Sequence, residues 1–188
     1  TSFLCTCADT SIYRKSVELA DAFQAPYMYV VDGTKSPTGF DPMAHAQNVP
    51  FISNELGGGG IDREAIRIGY RGARKVLEHF SLIAPSELTD KPDHTIYLDA
   101  VNSAGGLLAP FEGLFEAQFD VGDEIETGQT AGILYSLDEV DRPPKELHFT
   151  DSGIVCVKHV TARVVHGSDI CRTAKPVSRD KILALANN

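Results

Sequence analysis

The residue of this sequence best placed for chemistry is Glu55, in Asn54-Glu55-Leu56-Gly57-Gly58-Gly59-Gly60. Val49-Pro-Phe-Ile-Ser-Asn-Glu55 reads as a strand ending in the carboxylate, and Asp62 is expected to cap the helix that follows. A carboxylate at the C-terminal end of a parallel strand, before a turn and a helix, sits where open α/β sheets bind ligands. Gly57, Gly58 and Gly59 would let the backbone approach such a ligand closely, because no Cβ atoms intrude. The residues alone leave two readings open: a ligand-facing carboxylate, or a glutamate that caps a turn or pairs with an arginine.

Other chemistries fit less well. Four glycines before a helix suggest a phosphate cradle, but no Gly-Lys-Ser/Thr follows them. The third glycine of G-x-G-x-x-G would fall on Asp62 or Arg63, and two carboxylates would repel an anion. A catalytic zinc site needs about three protein ligands. The six histidines form no H-E-x-x-H or His-x-x-Glu; His148-x-x-Asp151 and His166-x-x-Asp169 read as surface pairs. Cys5-x-Cys7 has no second pair, so all four cysteines are expected to be thiols in a reduced, cytoplasmic setting. The sequence alone therefore offers no metal site. No Ser–His–Asp order or G-x-S-x-G elbow stands out either.

The elements that must position Glu55 alternate. Residues 2–8 suit a strand, 9–24 a helix with Ile12, Leu19, Ala20 and Phe23 on one face, and 27–31 a buried strand. Asp41-Pro42 reads as a helix start, with Asp41 as the cap. The helix after Asp62 carries Ile66, Tyr70, Ala73, Val76, Leu77 and Phe80 as its apolar side, with Gly69 allowing close packing and arginines opposite. Strand, helix, strand, helix, strand, helix points to an α/β piece with a parallel sheet. Two or three strands are too few to stand alone, so this piece is expected to be incomplete.

Beyond a linker at 86–94, short strands and frequent turns suit an all-β sandwich or barrel over 95–175, with a tail at 176–188 in which Ser178 to Ala186 reads as a short helix or unstructured end. Gly113-Leu-Phe followed by Gly122-Asp-Glu-Ile is echoed by Gly153-Ile-Val followed by Gly167-Ser-Asp-Ile, as in a flattened barrel of two similar halves. Ala109-Pro-Phe-Glu-Gly113 and Val121-Gly-Asp-Glu-Ile-Glu-Thr-Gly-Gln129 resemble the barrel-sandwich of lipoyl and biotinyl carriers. No Met-Lys is present, so a carrier role is not expected.

Over 188 residues, a formal net charge of -9 argues against a nucleic-acid partner. No apolar run reaches the roughly 18 residues of a membrane span. The chain opens at Thr1, which suggests a processed, trimmed or partial chain.

Taken together, Val49-Pro-Phe-Ile-Ser-Asn-Glu-Leu-Gly-Gly-Gly-Gly60, Ala73-Arg-Lys-Val-Leu-Glu-His79 and the glycines of the β region resemble the succinylglutamate desuccinylase/aspartoacylase family. The nearest branch is that of N-acyl-diaminobutyrate deacetylases. The resemblance runs from about Phe3 to Lys175 and implies a carboxypeptidase-like α/β domain followed by a β-domain. It also implies a zinc-dependent hydrolase of N-acyl amino acids, in which Glu55 matches the catalytic base and Gly57, Gly58 and Gly59 shape the substrate wall. The family's zinc ligands, a His-x-x-Glu and a later histidine, have no counterpart here. The chain is thus expected to be the C-terminal part of such an enzyme, inactive alone, with a missing N-terminal segment or a homo-oligomer covering its sheet. The rival is a non-catalytic binding protein that retains the β-domain.

Overall fold

The computed structural model describes residues 2–33, 39–56, 63–86, 94–103, 105–139 and 141–185. The chain divides into two compact units, residues 1–101 with 177–188 and residues 102–176.

Unit 1 is α/β. Strands β1 (Ser2–Cys5), β2 (Tyr27–Val31) and β4 (Ile96–Asp99) run parallel, in the order β1-β2-β4. Helix α1 (Thr10–Phe23) starts where Asp9 accepts from the Ser11 and Ile12 N–H groups, and stops at Gln24 in the left-handed region. Its buried face is Ile12, Tyr13, Ser16, Val17, Ala20 and Phe23, with Tyr13 and Val17 in place of the expected Leu19. These residues pack on Leu4, Met28 and Val30, which all point to one side of the sheet.

Three expectations for this unit are corrected, and a fourth, left open, is decided. The strand before Glu55 is only β3 (Ser53–Asn54), and it pairs with β1 antiparallel, Ser2 opposite Asn54 and Phe3 opposite Ser53. Helix α2 (Phe40–Ala46) begins after Gly39, so Asp41 lies inside the first turn and caps nothing. Residues 95–98, expected to open the β region, contribute β4 beside β2. Of the short helix or tail left open for the last stretch, the chain forms helix α4 (Arg179–Ala184): Ser178 caps it, and Ile182 is fully buried in the unit 1 core. Its ties to α1 are the Tyr13 hydroxyl donating to the Ile182 carbonyl at 3.1 Å and the Arg179–Asp21 ion pair at 2.6 Å.

Helix α3 (Arg63–His79) packs on the side the spacing did not favour. Ile68 and Val76 join the core, and Gly72 seats the Phe23 ring of α1. A Cβ at position 72 would stand 2.5 Å from that ring. Ile66, Tyr70, Leu77 and Phe80, read as the apolar side, remain exposed. Most of the expected linker, 87–93, lies outside the described residues.

Unit 2 is all-β and antiparallel. Its strands are β5 (Gly105–Leu108), β6 (Gly113–Ala117), β7 (Glu124–Ile125), β8 (Thr130–Ser136), β9 (Lys145–His148), β10 (Gly153–Lys158), β11 (Arg163–Val164) and β12 (Asp169–Val177). One sheet places β12 between β5 and β10, with β7 beyond β10; the other runs β11-β6-β8-β9. Both sheets feed one apolar core that includes Phe115, Ile125, Leu134, Leu147, Val155 and Ile170. Among the described residues the two sheets do not close on each other, so the expected barrel is a sandwich of open sheets.

The internal echo has a structural counterpart. Asp120–Asp123 and Val165–Ser168 form matching turns: the first N–H donates to the last side chain, Asp123 Oδ2 at 2.8 Å and Ser168 Oγ at 3.0 Å. Their third residues, Gly122 and Gly167, have φ of 100° and 82°, which suits glycine. In each turn the glycine N–H reaches a neighbouring carbonyl, Val155 or Ala109, at 2.8 Å.

Candidate active site

Glu55 is placed by a short series of contacts. The Phe51 N–H donates to Ser16 Oγ of α1 at 3.1 Å, which fixes the approach to β3. Ser2 Oγ then donates to Asn54 Oδ1 at 2.5 Å, which holds the register beside β1. On the far side of Glu55, Leu56 seats where Gly69 of α3 has no Cβ; an added one would be 2.6 Å from Leu56 Cδ1. Leu56 therefore turns toward α3 while Glu55 turns to the other side.

That side holds a pocket of about 310 Å³, lined by Phe3, Cys5, Val31, Asp32, Gly33, Asp41, Pro42, Ser53 and Glu55. It occupies the sheet face opposite α1, because Phe3, Cys5 and Val31 alternate with the core residues Leu4 and Val30. The Phe3 ring stands edge-on to Tyr29 at 5.6 Å, which gives the pocket a fixed apolar wall. At the carboxyl ends of β1 and β2, the Thr6 N–H donates to the Val31 carbonyl at 2.9 Å, and Gly33 approaches so closely that a Cβ would lie 2.2 Å from the Thr6 carbonyl oxygen. The antiparallel register carries Glu55 past the amino end of β1. The expectation of a carboxylate at the carboxyl ends of parallel strands is thus corrected: Asp32 and Gly33 hold that position, and Glu55 closes the opposite end of the pocket.

Three further polar residues of the pocket were not singled out by sequence for this place: Cys5, Asp32 and Asp41. The available signal was Asp32-Gly33 directly after an apolar strand, a common ligand-loop pattern. Cys5 donates to Asp41, and burial followed by that carboxylate pushes the thiol from 9.0 up to about 12. A thiol held protonated is a poor nucleophile, so cysteine-based acyl transfer is disfavoured. Glu55 is exposed to the pocket and engaged in contacts of its own. Gly57, Gly58 and Gly59 lie outside the described residues.

The residues do not fit the implied zinc. Among the described residues, no three His, Cys, Asp or Glu side chains converge as a metal ligand group would. His148 ends β9, and Asp169 pairs instead with Arg172 at 2.7 Å.

No family model matches the chain. A curated relative, the N-alpha-acetyl-L-2,4-diaminobutyric acid deacetylase of Halomonas elongata, is 29% identical over 170 residues, covering 90% of this chain and 49% of that protein. A solved succinylglutamate desuccinylase/aspartoacylase from Rhodobacter sphaeroides superposes with a TM-score of 0.81 at 27% identity, over 94% of this chain and 54% of its own. The chain is similar, over nearly its whole length, to members of the succinylglutamate desuccinylase/aspartoacylase family. An ectoine utilization protein from Ruegeria pomeroyi, solved with product bound, shares the fold with a TM-score of 0.77 at 21% identity, over 94% of this chain and 53% of that one. The chain spans about half the length of the family members it matches. Among the described residues no helix is long and apolar enough to cross a membrane.

Proposed function

We propose that this chain carries the proton-transfer carboxylate of a hydrolase that cleaves the amide bond of N-acyl amino acids. The observation that carries the reading is Glu55 at the end of a pocket on the sheet face, before a glycine run, in a chain that resembles a deacetylase and a desuccinylase. A carboxylate so placed takes a proton from an attacking water as its oxygen bonds to the acyl carbon. The same proton passes to the amide nitrogen, the C–N bond breaks, and a carboxylic acid and a free amine leave. Phe3 supplies an apolar wall of the pocket, and the family resemblance assigns Gly57, Gly58 and Gly59 to the substrate side. Zinc belongs to this reading as the family's metal, although no ligand set for it stands among the described residues, and no step is assigned to it here. The likeness of unit 2 to lipoyl and biotinyl sandwiches rests on its matched turns and implies no carrier role, because Lys145 lies within β9, opposite Leu134, and not at a turn.

The test is release of free amine from a panel of N-acetyl and N-succinyl amino acids by the intact protein, N-alpha-acetyl-2,4-diaminobutyrate included. Turnover of at least one member is expected. Failure to hydrolyse any of them, with the protein folded and zinc supplied, would leave the binding-protein alternative standing.

A further inference from the structure

The mismatch between the implied zinc and this chain goes deeper than an absent motif. Protein zinc sites are made of thiolate, imidazole and carboxylate ligands, about three of them in a catalytic centre. All six histidines and all four cysteines fall on described residues, so every nitrogen and sulfur side chain suited to zinc has a defined place. No three of these, alone or with described carboxylates, come together. The acidic residues outside the described set are Asp62, Glu87, Asp90 and Asp93, carboxylates only.

The nearest approach to a ligand group is at the pocket, where Cys5 is bonded to Asp41 and His45 follows one turn later on α2. Asp41 Oδ1 and His45 Nε2 are buried there without a hydrogen-bond partner among the described residues. Zinc would require the Cys5 proton to leave, and burial beside a carboxylate opposes that loss.

We infer that this chain binds no zinc of its own, that its fold is metal-independent, and that a zinc-dependent reaction at Glu55 takes all its metal ligands from polypeptide outside this sequence. The inference rests on the proposed function for Glu55 and adds a division of labour: base within this sequence, metal ligands outside it. The test uses the purified 188-residue chain. Zinc content is measured after equilibration with equimolar zinc chloride and desalting, thermal unfolding is followed with and without EDTA, and cobalt(II) spectra report thiolate ligation. Zinc well below one per chain, an unchanged Tm and no thiolate-to-cobalt band are expected. Stoichiometric zinc would overturn the inference; its loss in Cys5→Ser or His45→Ala would then locate the site at the pocket, and its retention would locate it elsewhere. Either outcome leaves the Glu55 reading untouched, because that reading is tested separately, by turnover of the N-acyl amino acid panel and by its loss in Glu55→Gln.

Discussion

Unit 1 and unit 2 bury their side chains in opposite ways. Unit 2 gathers apolar residues from two antiparallel sheets into one core, although Leu108, Val121 and Val160 stay exposed, as do Leu114 and Tyr135, opposite each other on β6 and β8. Unit 1 packs only one face of its sheet on α1, and on the other face places Cys5, Asp32, Asp41 and Glu55 around a pocket. It also leaves Ile66, Tyr70, Ala73, Leu77 and Phe80 on one exposed stripe of α3, at the 4-3-4-3 spacing of a helix-packing seam. Of the buried polar atoms without a hydrogen-bond partner among the described residues, Asp41 Oδ1 and His45 Nε2 belong to α2, which lines the pocket, while Thr173 Oγ1 lies in unit 2. Unit 1 thus leaves one sheet face and one helix stripe open, whereas unit 2 closes its apolar residues into a single core.

The largest structural effect should come from the scaffold. Leu134 is fully buried between the sheets of unit 2, and Leu134→Ala should lower unfolding free energy by about 2–5 kcal/mol, measured by urea denaturation. A loss under about 1 kcal/mol would mean the sandwich core is looser than its burial indicates. Next comes the helix contact of unit 1. Gly72→Ala drives a methyl into the Phe23 ring and should cost about 1–3 kcal/mol, whereas a stabilised protein would show that α3 is not seated on α1 as described. The smallest effect should be on the open stripe: Ile66→Lys should change stability by no more than about 0.5 kcal/mol. A larger loss would show that Ile66 is covered in solution, and the contrast between the two units would shrink.

Much of this was legible in the residues. The capped α1, the apolar β2 and the glycine turns at Gly122 and Gly167 all follow from local chemistry. What was not legible depends on distant contacts. The two residues of β3 carry no signal of direction, and their antiparallel pairing is set by Ser2, fifty-two positions away in sequence from Asn54. Helix α3 has apolar residues on two sides, and spacing favours the larger one. Packing keeps Val76 of the expected residues and adds Ile68 and Gly72, because Gly72 leaves room for Phe23. Ile96–Asp99 follows a linker and precedes a run of short strands, so adjacency suggested the β region, while its partner β2 lies far back in the chain. The pocket role of Cys5 and Asp41 needed the same long-range closure of β1 against α2.

The measurement that bears most directly on the account is the turnover of Glu55→Gln in the intact protein, set beside wild type for zinc content and thermal unfolding. The swap keeps size and hydrogen bonding but removes the proton acceptor. The account predicts unchanged zinc and Tm with kcat lower by on the order of a hundredfold or more. Unchanged kcat in a folded, equally metallated variant would contradict it, and the catalytic carboxylate would have to be sought elsewhere.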